Sequence, residues 1–254
     1  MGKAIRATAG TGVAVLLLAT AACGGSTATP VEHHLVYVHA SAPAAPSVWI
    51  GDVNGAHSRR LTSGSVGVLS PDGRTVAVAR RGEGVYLVSS DGKRERRLST
   101  RQLRPRAWSP DGETLVATAA TSQAVVELVA VDRRSGRLRP IARGSLYGFD
   151  FSPDGDELVY SRAPQATVAG ICGDQFDLYV AKLDGGTPTR LTHDGLSAFP
   201  VWGSAGIALS HFPAGGSLAD CSAPGIWTIK SDGSDLRPVI ARAPDSITLA
   251  GYYG

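Results

Sequence analysis

The residue best placed to do chemistry is Asp150, a carboxylate at a position where the corresponding stretches of the chain hold Val68, Ala107 and Val201. A carboxylate held partly out of water can serve as a general acid or base, or can hold a polar ligand. It stands alone, whereas glycoside hydrolysis normally uses two carboxylates. The histidines, His33, His34, His39, His57, His193 and His211, show neither His-x-x-x-His nor His-Glu-x-x-His spacing, so no metal centre is expected. No Gly-x-Ser-x-Gly elbow, P-loop or dinucleotide fingerprint occurs, so no catalytic nucleophile and no cofactor are expected. Asp72, Asp91, Asp111, Asp154, Asp184 and Asp232 each precede a glycine. Such a series invites a calcium reading, but an Asp before Gly also caps its own tight turn, and turn chemistry explains it better.

The elements that must position Asp150 come from a repeat. Trp108-Ser109-Pro110-Asp111-Gly112 recurs as Leu69-Ser70-Pro71-Asp72-Gly73 and Phe151-Ser152-Pro153-Asp154-Gly155, and in worn form as Trp202-Gly203-Ser204-Ala205-Gly206. Pro fixes φ and Asp-Gly supplies a left-handed residue, so each copy is a turn between antiparallel strands. After each turn comes a β-rich run: Thr75 to Ala79, Thr114 to Thr118, Leu158 to Ser161 and Ile207 to Ser210. A second run follows at Val85 to Val88, Val126 to Val129, Leu178 to Val180 and Ile226 to Ile229. Another turn then leads to a short closing strand at Arg97-Leu98-Ser99, Arg139-Pro140-Ile141, Arg190-Leu191-Thr192 or Arg237-Pro238-Val239. Four short strands in a period of about 40 to 45 residues is the pattern of a propeller blade.

The series Trp-Ser-Pro-Asp-Gly, Tyr-Leu-Val, Asp-Gly and Arg-Leu-Ser resembles the TolB-like propeller repeat, a relative of the WD repeat, over residues 34–254. The expected fold is all-β, a single β-propeller of four-stranded blades. The first unit, with strands at His34 to Val38, Ser47 to Ile50 and Arg59 to Thr62, lacks an innermost strand. Ser246 to Tyr252 stands at the spacing of an innermost strand and would supply the missing one, closing five blades without an open edge. The TolB family has six blades, so six with one degenerate blade is the alternative. The resemblance also implies protein partners, because members serve in envelope complexes. Five-bladed propellers include glycosidases as well, which makes an extracellular carbohydrate-active enzyme using Asp150 the competing reading.

Residues 1–22 read as a signal peptide: Lys3 and Arg6, an apolar run from Val13 to Leu18, then small residues. The run is shorter than the ~20 residues of a membrane span. Cys23 follows directly, and the junction resembles a bacterial lipoprotein signal, with Thr20 where that motif usually has Leu. Lipidation of Cys23, followed by a Gly/Ser/Thr/Pro linker through residue 33, would place the protein outside the cell membrane, attached by lipid alone. With Cys23 taken, Cys172 and Cys221 remain as an even pair at matched positions in adjacent repeats, and a disulfide between them is expected; two separate buried thiols are the alternative.

Positions within the repeat place the remaining candidates. Asp150 falls on an innermost strand, with Arg106 one position earlier on the preceding blade, so the two either line the central channel as an ion pair or form a polar ligand site. His39, Arg80, Arg162 and His211 end the second strand of their blades, with Ala119 the exception. They make a partial basic ring on the face opposite the Ser-Pro-Asp-Gly turns, which suits an acidic ligand or a solvated rim. That face also carries the long links from Ala163 to Phe176 and from Phe212 to Pro224. Lys and Arg number 25 against 22 for Asp and Glu, which is no basic field. The local cluster Arg94, Arg96, Arg97, Arg101, Arg104 and Arg106 could touch phosphates, but export argues against nucleic acid, and arginines beside edge strands commonly guard them. The expected role is that of a noncatalytic binding module of the cell envelope with a protein partner.

Overall fold

The computed structural model of the protein describes residues 34–40, 44–52, 57–122, 125–163, 175–212 and 224–240. Those residues form strands and turns, with no α-helix among them. Cys23, Cys172, Cys221, the signal and linker, and the closing segment Ser246 to Gly254 lie outside the described residues.

Five antiparallel units follow one another along the described chain. The first has three strands, β1 (His34–His39), β2 (Ser47–Asp52) and β3 (Arg59–Ser63). The second has β4 (Val66–Leu69), β5 (Thr75–Arg80), β6 (Gly84–Ser89) and β7 (Glu95–Ser99). The third begins with β8 (Arg104–Trp108), β9 (Thr114–Ala120) and β10 (Val126–Asp132), and the fourth ends with β12 (Glu157–Ala163), β13 (Asp177–Lys182) and β14 (Thr189–Arg190). The last comprises β15 (Ser197–Gly203), β16 (Gly206–His211), β17 (Gly225–Ile229) and β18 (Arg237–Ile240).

One expected boundary is absent. The closing strand of the third unit and the innermost strand of the fourth run together as β11 (Leu138–Phe151), which joins the two units into one seven-stranded sheet. β11 pairs with β10 as far as Gly144 and with β12 from Ser145 onward. Gly144 at φ 151° lets the strand change partners while staying extended, so no turn is needed.

The Ser-Pro-Asp-Gly turns share one hydrogen-bond scheme. Gly73, Gly112 and Gly155 N–H donate to the carbonyls of Ser70, Ser109 and Ser152 at 2.8–2.9 Å. Each Ser hydroxyl donates to the Asp two residues on, at 2.5–2.6 Å, and accepts the N–H of Thr75, Thr114 or Glu157 at 2.9–3.0 Å. The same Asp then accepts the N–H of Arg74, Glu113 or Asp156. The glycines have φ of 69–82°, a left-handed conformation that costs glycine nothing sterically. At Gly155 a Cβ would meet Pro110 Cδ at 3.0 Å, so consecutive turns also pack on each other.

In the second, third and fourth units alternation along the strands buries apolar residues on both faces of the sheet. Val48 of the first unit packs with Val76, Val78 and Val88 of the second. Ala77, Leu87 and Leu98 of the second pack with Leu115, Val129 and Val131 of the third. Leu128 and Ala130 meet Leu158 of the fourth, and Val159, Leu178 and Val180 meet Ile207 and Leu209 of the fifth. Each such Val or Leu stabilises by roughly 1.5–3 kcal/mol. The apolar residue of the closing strand, Leu61, Leu98, Ile141 or Val239, is passed over in the register with the neighbouring strand, which makes it a bulge. Leu98 is thereby aimed into the interface with the third unit.

Replacing Ser109 by Ala removes the acceptor for Thr114 N–H and the donor to Asp111, in a side chain that is fully buried. A loss of about 1–2 kcal/mol in denaturant unfolding is expected, and an unchanged midpoint would exclude the scheme as a source of stability. A pH dependence follows from other turns. The Ser89, Ser152 and Ser234 hydroxyls, and next the backbone N–H groups, hold Asp91, Asp154 and Asp232 below the usual carboxylate range. A depressed folded pKa contributes stability that is present above the unfolded value and lost as pH falls through the folded one. The melting temperature should therefore drop as pH is lowered below about 4.

Candidate functional site

The predicted column at the end of the second strand is set by register. Val78 pairs with Tyr86, Tyr160 with Tyr179, Leu209 with Trp227 and Tyr37 with Trp49. Two residues on, Arg80, Arg162, His211 and His39 share that face and lie diagonal to the aromatic. Arg80 covers Tyr86 with its guanidinium 4.2 Å from the ring centre, and Arg162 covers Tyr179 at 5.7 Å. His211 stacks on Trp227 at 4.0 Å, and His39 meets Trp49 edge-on at 6.2 Å. In the third unit the same positions hold Ala119 and Val129. The basic group is absent in the unit where the ring is absent, so the column is a repeated pairing of cation or imidazole with aromatic.

The four members differ in what else they touch. Arg80 donates to both oxygens of Glu95 at 2.7 and 2.6 Å, to Thr62 Oγ1 at 2.5 Å and to the Ser63 carbonyl at 3.1 Å. Its pKa is raised, first by the Glu95 bond. Arg80 is thus committed to tying the first unit to the second. His211 Nε2 lies 2.9 Å from Asp194 Oδ2. Burial pushes the Asp194 carboxyl up, but the Leu196 N–H and His211 together outweigh that and leave it low. His39 is exposed.

Arg162 has no ion pair among the described residues, and its Nε is buried with no hydrogen-bond partner. Asp177, directly across the ladder from Arg162, is spent on the Arg190 guanidinium at 2.5 Å, Thr192 Oγ1 at 3.1 Å and Gly195 N–H at 3.1 Å. Beside Arg162, the Tyr160 hydroxyl is also buried without a partner among the described residues, and burial pushes it up to about 12. Tyr160 and Tyr179 stack at 5.7 Å and 15°. Sequence reading found Arg162 but missed Tyr160 and Tyr179 as its companions. The signal was there: Tyr160 and Arg162 are two apart on one strand and therefore share a face.

Asp150 and Arg106 do not form the expected ion pair. Among the described residues no salt bridge joins them. Asp150 Oδ1 accepts the Phe151 N–H at 2.9 Å and Oδ2 accepts the Trp202 N–H of β15 at 2.8 Å, which ties the fourth unit to the fifth. Burial raises its pKa, and the two N–H bonds only partly offset this. Arg106 is the bulged residue of β8, skipped between Pro105 and Ala107, whereas the skip in β11 falls at Gly148. The two side chains therefore do not occupy matching places on their strands. Arg106 is solvent-exposed but crowded, and burial, then Arg104, lowers its pKa. Both Asp150 oxygens are occupied, so the carboxylate is arranged as a clasp between units.

The arginine cluster resolves into separate roles. Arg96 donates to the Arg133 carbonyl of the next unit, as Arg59 does to the Ser90 carbonyl. Arg97 donates to the Glu83 carbonyl, and Arg101 pairs with Glu127.

No family model matches the sequence, and no curated protein matches it. Solved structures do match. TolB from Acinetobacter baumannii is 16% identical with a TM-score of 0.53, over 84% of this chain and 52% of that one. The β-propeller domain of the trilobed protease from Pyrococcus furiosus is 14% identical at a TM-score of 0.59, over 81% and 67%. Oligogalacturonate lyase from Vibrio parahaemolyticus is 14% identical at 0.60, over 83% and 62%. The fold is a β-propeller. The chain spans about half the length of the Acinetobacter TolB, and the propellers it matches include both TolB and enzymes.

A double-mutant cycle separates the clasp from an ion pair. Asp150→Ala orphans two backbone N–H groups, offset in part by removal of a buried charge, and should cost about 1–2 kcal/mol. Arg106→Ala should stay within about 0.5 kcal/mol. A coupling energy well above about 0.5 kcal/mol would restore the ion pair.

Proposed function

We propose that this propeller is a noncatalytic binding module of the bacterial cell envelope, exported and held at the outer face of the cell membrane by lipid on Cys23. Its partner is a protein that presents an acidic group to Arg162. The observation that carries this reading is a partly buried guanidinium on the ring system of Tyr179, with no acid of its own and with Nε unbonded among the described residues. A cation in that state gains more from an incoming carboxylate than one already paired, because its desolvation has been met in the folded protein. Arg80 and His211, each with an acid of its own, are the frame around it, and His39 is a secondary contact. β12 ends at Ala163, one residue after Arg162.

Crosslinking in intact membranes tests the binding. Wild-type protein should give a discrete adduct that falls on the order of tenfold in Arg162→Ala and is partly restored in Arg162→Lys. Adduct yields equal in all three would remove Arg162 from the interface.

The anchor has its own test. Cys23→Ser should move the protein from the membrane to the soluble fraction and abolish fatty-acid labelling. A wild-type protein that takes up no fatty acid would refute the anchor.

A further inference from the structure

The face that carries the Ser-Pro-Asp-Gly turns holds a second feature, at the opposite end of the strands from Arg162. Between the second and third units lies an open groove of about 780 Å³, within the roughly 300–1,000 Å³ range of ligand clefts. Its walls are cationic: Arg74 from the turn, Lys93, Arg94 and Arg96 from the β6–β7 hairpin, and Arg133 from the next unit. Leu87, Thr75 and Ser89 complete the lining and give it apolar and hydroxyl surface.

Two carboxylates line the groove and both are engaged, while Lys93 Nζ lies 3.9 Å from a third, Asp91. Glu95 is gripped by Arg80, and Asp72 accepts its own turn's Ser70 hydroxyl and Arg74 N–H. Two of the cations are structural as well. Arg133 donates to the Gly112 carbonyl at 3.2 Å and to Thr75 Oγ1 at 2.8 Å and lies over Trp108, while Arg96 donates to the Arg133 carbonyl. The Arg74 and Arg94 side chains are different: both residues are exposed, and neither guanidinium has a hydrogen bond or ion pair among the described residues. Fixed cations at the back and free ones at the rim can take successive carboxylates along a chain, because each guanidinium offers a planar fork to a carboxylate.

We propose that this groove binds an extended acidic segment of a partner protein. The shape favours a chain over a membrane: a flat anionic surface reaches Arg74 and Arg94 alone, whereas an extended chain also enters the concavity lined by Arg133 and Leu87. The inference does not rest on the Arg162 reading, which concerns the other face.

The test uses the full-length protein in detergent and a dye-labelled synthetic peptide of alternating Glu and Ser, with the Gln/Ser peptide as its neutral counterpart. Fluorescence anisotropy at low salt should show binding of the Glu peptide alone. Arg74→Ala combined with Arg94→Ala should weaken it on the order of tenfold. Arg104→Ala combined with Arg143→Ala removes the same charge from exposed positions outside the groove and should change it less than about twofold. Three results would overturn the proposal: no binding of the Glu peptide, equal weakening by both double variants, or retention on phosphatidylglycerol vesicles that depends on Arg74 and Arg94 when the peptide does not bind.

Discussion

In the second, third and fourth units both faces of the sheet carry buried apolar residues, and that constraint shapes everything else. A four-stranded sheet with Ala77, Leu87 and Leu98 on one side and Val76, Val78 and Val88 on the other has no face to give to water. It is stable only between two neighbours, so each unit must be held at a fixed distance and angle from the next. The polar contacts between units serve that purpose. Trp108 donates its indole N–H to the Val68 carbonyl at 3.1 Å, Asp150 accepts the Trp202 N–H, and Arg59 and Arg96 reach the turn carbonyls of the following unit. The two arginine contacts repeat one scheme and the others differ chemically, yet each bridges one interface.

The same constraint explains why most of the basic residues are poor guides to function. An arginine at the end of a second strand has apolar surface and an aromatic ring beside it, and its stem packs there whatever its head does. Arg80 then completes its donors with Glu95, Thr62 and Ser63 and becomes part of the frame. The third unit, with Ala119 and Val129, dispenses with the whole device and is still well buried. A basic column is therefore compatible with packing alone, and what singles out Arg162 is that its opposite neighbour Asp177 has been taken by Arg190.

The sequence made the repeat legible because its turns are local. Ser, Pro, Asp and Gly within four residues determine the hydrogen bonds at Ser70, Ser109 and Ser152, with no help from distant parts of the chain. Most strand positions followed to within one or two residues, as with the run read as Thr75 to Ala79, which is β5, Thr75–Arg80, whereas β10 runs three residues past Val129 to Asp132. β11 was not legible, because Gly144 looks like a breaker and instead carries the strand from one partner to another. The relation between Arg106 and Asp150 was hidden for a related reason. Period-2 alternation gives side-chain direction only while the ladder is regular, and the bulges at Arg106 and Gly148 fall at different places. That Arg162 has no ion pair among the described residues was out of reach of sequence, since it depends on which of two cations captures Asp177.

Charge composition was the least informative feature, and the structure shows why. Twenty-five basic side chains against 22 acidic ones suggest a protein without a field. The acids, however, are largely used close to home. Asp72, Asp91, Asp111, Asp132, Asp154 and Asp232 each accept hydroxyl or backbone donors within their own turns. Glu95, Glu127 and Asp177 are each held by a single arginine. A carboxylate already surrounded by short-range donors keeps its charge but has little capacity for another strong partner. Among the described residues Arg74 and Arg94 keep all their side-chain donors. The chemistry presented to a partner is therefore more basic than the count implies, and it is concentrated where turns crowd together. A repeat that spends its aspartates on turn geometry leaves its arginines to define what the surface can bind.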